Sequence, residues 1–212
     1  MQVFGFPLSP FVRKVHLVAA LKGLEIETVA ANPRDPSPEF LAASPFRKIP
    51  ALQHGDYRLA DSTAIVTYFD ALQPAPAIFP AEPQARGKAI WWEEVADTVM
   101  VPAGGKVVFN RFVGPKVLGL PGDEAVAAEG EAEVRKLTAW FEGQAPAQGW
   151  LAGELSIGDL SLASVFRTLG YVGLEPDPAT APNAAAWYER VKALPCWQQV
   201  AAREARLAAN FT

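Results

Sequence analysis

The order of apolar and polar residues predicts a mixed first third of the chain. Gln2 to Phe6 is a short, mostly apolar run that ends before Pro7, as expected for a buried strand. Ser9-Pro10 then begins an apolar stripe with helical spacing, which ends at Gly23. Glu25 to Ala31 predicts a second strand. Because two strands joined by a helix usually pair in parallel through a right-handed crossover, the chain is expected to open with a βαβ unit.

The next apolar runs predict a short helix, a β-hairpin and a longer helix. Glu39 to Ala43 is the short helix. Ile49 to Leu52 and Tyr57 to Ala60 lie on either side of Gln53-His54-Gly55-Asp56, where Gly and Asp favour a turn. Asp61-Ser62 supplies a capping residue for the helix that follows. The order of elements up to this point is therefore βαβ-α-ββα.

The remainder of the chain is predicted to be helical. Residues 74–81 are rich in proline and predict a linker between two domains. The expected elements are a bent helix over 82–112, a loop over 114–122, a helix over 123–142, a helix that begins with the capping-box sequence Ser156-Ile157-Gly158-Asp159, and two helices after Pro182 and Pro195. The prediction is an α/β domain over 1–73 and an all-α domain over 82–212.

The composition of the chain excludes several classes of function. The chain has 212 residues, is 50% hydrophobic and carries a net charge of −4. Mixed charges of both signs give no basic surface for nucleic acid, and no apolar run reaches the roughly 20 residues that span a bilayer. The first residues lack the features of a secretory leader, so a cytoplasmic location is expected. One cysteine, Cys196, excludes an internal disulfide, and with only His16 and His54 besides, no metal site is expected.

Three short stretches carry the candidate chemistry. Ser9 could present a hydroxyl at a helix start, Pro50 is compatible with a cis peptide in a tight bend, and Asp61-Ser62 lies at another helix start, where carboxylates bind. Each has a purely structural alternative. Ser9 and Asp61 would be ordinary N-caps, and Pro50 an edge-strand proline. The residues alone leave these alternatives open.

Taken together, these stretches resemble the glutathione transferase family over nearly the whole chain. Lys48-Ile49-Pro50 is similar to its cis-proline motif, Asp61-Ser62 to its acidic residue before serine, and Ser156 to Asp159 to the capping box of its C-terminal domain. Ser9-Pro10-Phe11 resembles the serine-type classes. Ser37-Pro38-Glu39-Phe40-Leu41 with Ser44-Pro45-Phe46 is similar to the phi-like and tau-like branches of plants and bacteria.

The resemblance implies a thioredoxin-like N-terminal domain and a detoxifying transferase with glutathione as co-substrate. Ser9 would donate a hydrogen bond to the glutathione sulfur and keep it ionised, beside Phe11. The backbone of Ile49, exposed by Pro50, would pair with the cysteinyl part of glutathione. Ser62 would hold the γ-glutamyl carboxylate, and Asp61 would hold the ammonium group.

Two further assignments follow from the resemblance. The glycyl carboxylate of glutathione needs a cation, for which Lys48 is the first candidate, followed by Arg47 and Arg34. The apolar electrophile would bind against the bent helix, at Val95, Thr98, Val99 and Pro102. The family usually forms two-fold dimers, so a homodimer is expected.

The chain also departs from the family pattern. Asp35-Pro36 stands where phi-like members tend to carry His-Lys, and Ser44 and Arg47 replace Asn and Gly. These changes leave two alternatives open. One is a glutathione-dependent isomerase, peroxidase or lyase on the same scaffold, and the other is a glutathione-fold protein that binds without turnover.

Overall fold

The computed structural model describes residues 1–208. They form two compact units, the first made of Met1–Ile78 with Pro195–Leu207 and the second of Phe79–Leu194. None of the helices in these residues is long and apolar enough to span a membrane.

The elements of each unit follow the predicted order. The first unit contains β1 (Gln2–Gly5), α1 (Pro10–Leu21), β2 (Glu27–Ala30), α2 (Pro38–Ala43), β3 (Ala51–His54), β4 (Tyr57–Ala60) and α3 (Ser62–Leu72). The second contains α4 (Pro83–Glu94), α5 (Val101–Val108), α6 (Glu124–Glu142), α7 (Ile157–Gly170) and α8 (Pro182–Lys192), and α9 (Pro195–Ala208) follows it in the chain. The predicted fold class, a thioredoxin-like βαβ-α-ββα domain and a helical domain, is confirmed.

The first unit is built on a four-stranded mixed sheet with the strand order β2-β1-β3-β4. β1 pairs with β2 in parallel, with Gly5 opposite Ala30. β1 and β3 are antiparallel with Phe4 opposite Ala51, and β3 and β4 are antiparallel with Ala51 opposite Ala60. The carboxyl ends of β1, β2 and β4 therefore meet the start of β3 at one edge of the sheet.

Helix α1 packs closely on the sheet of the first unit. Its apolar stripe, including Val12 and Val15, is fully buried, as is Val3 of β1. A Cβ atom at Gly5 would lie 2.6 Å from Cγ2 of Val12, so glycine is needed where β1 and α1 come together. The predicted stripe of α1 is thus the face that forms this part of the core.

The core of the second unit is aromatic. Phe141 is at its centre, with ring centroids 5.1 Å from Trp187, 5.5 Å from Trp92 and 5.6 Å from Phe166. Such edge-to-face and tilted arrangements are the favoured contacts between aromatic rings. All four side chains are at most 2% exposed.

The capping box predicted at the start of α7 is present. The Ser156 N–H donates to the Asp159 carboxylate over 3.1 Å. Asp159 also accepts from the Leu151 N–H at 3.0 Å and from Nε1 of Trp187 at 2.9 Å. A Cβ atom at Gly158 would lie 2.6 Å from Cβ of Trp92, so the glycine between the capping residues lets α7 approach α4.

The predicted bent helix and the loop after it differ from the structure. The helix is divided by two π-helical segments, Val95–Met100 before α5 and Phe109–Val117 after it, so helical structure replaces the expected loop as far as Val117. A proline lies close to each segment, Pro102 two residues after the first and Pro115 inside the second. Because proline cannot donate a backbone hydrogen bond, it interrupts the regular α-helical ladder.

The grouping of α9 differs from the predicted division at 1–73, 74–81 and 82–212. Pro195–Leu207 belongs to the first compact unit and not to the helical second unit. A buried ion pair between Arg13 of α1 and Glu204 of α9 provides a physical reason. The two residues are 191 positions apart, so no local sequence pattern indicates the pair.

Candidate active site

The sheet of the first unit brings three of the predicted stretches to one edge. β1 ends at Gly5 and leads into Ser9, β3 begins at Ala51 directly after Ile49-Pro50, and β4 ends at Ala60 directly before Asp61-Ser62. Because Phe4 lies opposite Ala51 and Ala51 lies opposite Ala60, the three stretches are next to the same edge of the sheet.

Ser9 has the position of an N-cap but does not make the capping bond. It precedes α1 with φ −68° and ψ 133°, and its side chain accepts no hydrogen bond from the helix start. Its backbone is held firmly, since its N–H donates to the Phe6 carbonyl at 2.9 Å and its carbonyl accepts from the Arg13 N–H at 2.9 Å. Ser9 is half-buried, and its hydroxyl does not cap the helix.

The start of α1 is electrostatically suited to an anion. Its first turn contains no acidic residue. The positive end of the helix dipole lies at the same place. Phe11, in the first turn, is half-buried.

The loop that enters β3 has the geometry expected of a cis-proline motif. The Ile49–Pro50 peptide is cis, as predicted. Ser44 holds the loop, because its hydroxyl accepts from the Lys48 N–H at 3.0 Å and donates to the Lys48 carbonyl at 2.7 Å. No structural role was predicted for Ser44, although a small hydroxyl residue at a turn is a common backbone partner.

Asp61 caps α3 and occupies two of the backbone N–H groups at the start of this helix. Asp61 has φ 84° and caps the helix by accepting from the N–H groups of Thr63 at 2.8 Å and Ala64 at 3.3 Å. Those groups are thus engaged within the protein. Ser62, which the resemblance assigns to a carboxylate, is the first residue of α3, and its side chain is buried.

The three candidate cations are all exposed. Lys48 and Arg47 lie in the loop before β3, where Arg47 has φ 56°. Arg34 lies in the loop after β2, with its N–H bonded to Oδ1 of Asn32 at 3.0 Å. Since β2 ends opposite Gly5, that loop also begins at the edge of the sheet from which Ser9 follows.

The residues predicted to bind the electrophile lie in the second unit, in and just after its first π-helical segment. Val95 is 7% exposed and Val99 is 42% exposed. Thr98 and Pro102 are exposed, but the Thr98 hydroxyl donates to the Glu94 carbonyl at 2.7 Å. Three of the four predicted residues are therefore accessible, and Val95 belongs to the buried set.

Two other reactive side chains lie outside this site. Burial raises the pKa of the Cys196 thiol, so it stays protonated at neutral pH. Burial, and then the charges of Arg203 and Arg13, lower the pKa of His16 to about 4. Within residues 1–208, no three His, Cys, Asp or Glu side chains are grouped so as to hold a metal ion.

Comparison with known proteins agrees with this architecture. Residues 3–77 match the glutathione S-transferase N-terminal domain, and residues 96–195 match the C-terminal domain. Glutathione S-transferase 3 of Zea mays is 31% identical, with 95% of this chain and 93% of that protein covered.

Two solved structures are similar in both fold and sequence. Glutathione S-transferase III in its apo form has a TM-score of 0.80 and 32% identity, with 95% of each chain covered. Glutathione S-transferase I bound with lactoylglutathione has a TM-score of 0.82 and 26% identity, with 95% of this chain and 98% of that one covered. The chain therefore belongs to the glutathione S-transferase family of enzymes.

Proposed function

We propose that this protein transfers glutathione to electrophilic, largely apolar substrates and that the Ser9 hydroxyl stabilises the reacting thiolate. The observation that carries the proposal is the hydrogen bonding of Ser9. Its backbone is fixed at a helix start, and its side chain makes no capping bond there. A hydroxyl so placed can donate to a ligand.

Stabilisation of the thiolate is the chemical task of the site. A free thiol has a pKa near 8.5, and only the thiolate is a good nucleophile. A hydrogen bond from Ser9 and the positive end of α1 both favour the anion. Lowering the pKa of the thiol by two units takes about 2.7 kcal/mol, which one charge-assisted hydrogen bond and a helix terminus can supply.

The reaction itself needs no other group on the sulfur. The thiolate attacks an electrophilic carbon and forms a carbon–sulfur bond, and the electron pair of the broken bond leaves with a group such as halide. The substrate would contact Thr98, Val99 and Pro102, with Val95 behind them. This electrophile surface is a proposal that rests on the family resemblance and on the exposure of these residues.

The remaining residues of the site would hold the peptide part of glutathione. Ile49 lies just outside the paired register of β3, so its backbone can pair with the cysteinyl unit as an added strand does. Ser62 would bind the γ-glutamyl carboxylate, and Asp61 would bind the ammonium. Lys48 would bind the glycyl carboxylate, with Arg47 and Arg34 as alternatives. The related enzyme bound with lactoylglutathione supports a site for a glutathione derivative.

We also propose that the protein forms a homodimer through the first unit. Phe46 is 84% exposed, more than any other large apolar side chain that the structure describes, and Tyr57 and Leu72 are 47% and 44% exposed. Such exposure of large apolar groups is typical of an interface between subunits. A Phe46→Glu variant should sediment as a monomer at concentrations where the wild type is a dimer, and an unchanged dimer would contradict this assignment.

Turnover of the Ser9→Ala variant tests the proposed function. With an aryl halide activated by nitro groups, kcat/KM should fall about 30-fold, which corresponds to about 2 kcal/mol, because the variant loses the hydrogen bond but keeps the helix terminus. Glutathione affinity should change by less than about tenfold, since one hydrogen bond is lost.

The matched control is Ser37→Ala, at the other Ser-Pro helix start, which should turn over at the wild-type rate. Full activity of Ser9→Ala would contradict the role of Ser9. A wild type that binds glutathione but turns over no electrophile would favour a binding protein, and turnover without conjugation would favour an isomerase, peroxidase or lyase.

A further inference from the structure

The backbone around Ser9 is connected to the C-terminal helix α9 through one side chain. The guanidinium of Arg13, in the first turn of α1, donates from Nη2 to the Leu8 carbonyl at 3.2 Å. The same group donates to Glu204 of α9, from Nε to Oε2 at 2.6 Å and from Nη2 to Oε1 at 3.0 Å. Arg13 therefore links the residue before Ser9 to a helix at the far end of the chain.

The peptide between Leu8 and Ser9 is held on both edges. Its carbonyl oxygen accepts from Arg13, and its N–H, which belongs to Ser9, donates to the Phe6 carbonyl at 2.9 Å. The Ser9 carbonyl accepts from the Arg13 N–H at 2.9 Å. Because these bonds fix the peptide planes on either side of the Ser9 Cα, they fix the direction of the Cα–Cβ bond that carries the hydroxyl.

Glu204 determines where the Arg13 guanidinium lies. The side chains of Arg13 and Glu204 are 1% and 2% exposed, so water cannot replace either partner. The two-point contact between a planar guanidinium and a carboxylate restricts both distance and orientation. Without the Glu204 carboxylate, the buried guanidinium loses this two-point contact and is no longer held at this position.

We propose that Glu204 is a positioning residue for the transferase reaction, which through Arg13 fixes the Leu8–Ser9 peptide and so directs the Ser9 hydroxyl. The assignment rests on the function proposed above. It gives α9 a role in the reaction although α9 contributes no group to the sulfur.

A purely electrostatic effect of Glu204 would have the opposite sign. Removal of the carboxylate takes a negative charge away from the neighbourhood of α1, and loss of a nearby negative charge by itself favours a thiolate. Loss of positioning instead weakens the hydrogen bond from Ser9 and disfavours the thiolate. The direction in which the thiol pKa changes therefore distinguishes the two effects. Among the neighbouring charged groups, Arg203 is exposed, and His16, with a pKa of about 4, does not titrate near neutrality.

The experiment is the pH profile of kcat/KM for Glu204→Gln. The apparent pKa of bound glutathione should rise by about one unit, and kcat/KM near neutrality should fall about tenfold, mainly through kcat. Arg206→Gln, at an exposed position of the same helix, is the control and should keep the wild-type profile. An unchanged or lower thiol pKa in Glu204→Gln would overturn the proposal.

A second variant separates positioning from folding. In the double variant Arg13→Met with Glu204→Leu, apolar side chains replace both charges, a change that usually preserves stability. The Leu8 carbonyl still loses the hydrogen bond from Arg13, so the thiol pKa should again rise by about one unit while the unfolding midpoint stays close to that of the wild type. A double variant that folds and keeps the wild-type thiol pKa would also overturn the proposal.

The two proposals fail in different ways. If the wild type does not lower the pKa of bound glutathione, the role of Ser9 fails whatever Glu204 does. If the wild type lowers the pKa and Ser9→Ala abolishes the effect, but Glu204→Gln retains it, only the positioning role fails.

Discussion

Two helices of the first unit begin with the same sequence, yet their serines behave differently. Ser9-Pro10 begins α1 and Ser37-Pro38 begins α2, and the backbone angles of the serines are similar, φ −68° and ψ 133° against φ −67° and ψ 156°. The Ser37 hydroxyl accepts from the Phe40 N–H at 3.2 Å, whereas Ser9 makes no such bond. A Ser-Pro start thus predicts the backbone, but not the use of the hydroxyl.

This difference supports separate roles for the two serines. Ser37 is exposed and stabilises a helix of six residues, for which a capping bond matters. Ser9 begins a helix of twelve residues whose packing is already extensive. Because α1 can form without the capping bond, its serine remains available for a ligand.

The largest predicted effect is the pH dependence of stability that α1 causes through His16, a residue type that α2 lacks. His16 of α1 is 6% exposed and its pKa is lowered to about 4, first by burial and then by Arg203 and Arg13. As the pH falls from about 6.5 to about 4, the unfolded chain binds a proton that the folded protein does not. The free energy of unfolding should therefore fall by about 3 kcal/mol over this range.

Denaturant unfolding at several pH values measures this effect. A His16→Gln variant should lose most of the pH dependence between pH 6.5 and 4, while His54→Gln, at the exposed histidine of β3, should keep it. Equal losses in the wild type and in His16→Gln would show that other groups cause the acid sensitivity.

The next effect concerns stability at neutral pH and should separate the two serines directly. Ser37→Ala removes a capping bond and should lower the free energy of unfolding by about 1 kcal/mol. Ser9→Ala removes no such bond, so its effect should be below about 0.5 kcal/mol. Urea unfolding of both variants provides the measurement. A larger loss for Ser9→Ala than for Ser37→Ala would contradict the assignment of Ser37 as the capping residue.

The smallest effect is local to α2. The pKa of Glu39 is lowered by a hydrogen bond from its own N–H and, to a lesser extent, from the Ser37 hydroxyl. In Ser37→Ala the pKa of Glu39 should move back toward its ordinary value, and in Ser9→Ala it should not change. Titration followed by NMR of the Glu39 side chain would show this. A Glu39 pKa that is the same in the wild type and in Ser37→Ala would contradict the bond.

Local sequence patterns predicted those features whose partners are near in the chain. The Ser9-Pro10 start, the hairpin around Gly55 and the capping box between Ser156 and Asp159 all involve residues within a few positions of one another, so their spacing alone indicates the structure. The three stretches of the candidate site were found in the same way, because each is a short motif next to the start or end of a strand, and their roles toward glutathione stay predictions.

Features that depend on distant residues were not predictable in this way. The pair of Arg13 and Glu204 spans 191 positions, and the grouping of α9 with the first unit follows from it. The missing capping bond of Ser9 was not predictable either, because Ser37 has the same Ser-Pro sequence and makes the bond. The spacing of residues along the sequence indicates neither the ion pair nor the missing capping bond.

The most direct test is an ultraviolet titration of the thiol of glutathione bound to the wild type, to Ser9→Ala and to Ser37→Ala. The wild type and Ser37→Ala should hold the thiol pKa about two units below its value near 8.5 in solution, and Ser9→Ala should return most of that difference. A thiol in the wild-type complex that is no more acidic than free glutathione would contradict the proposed role of Ser9, and so would an equally acidic thiol in Ser9→Ala.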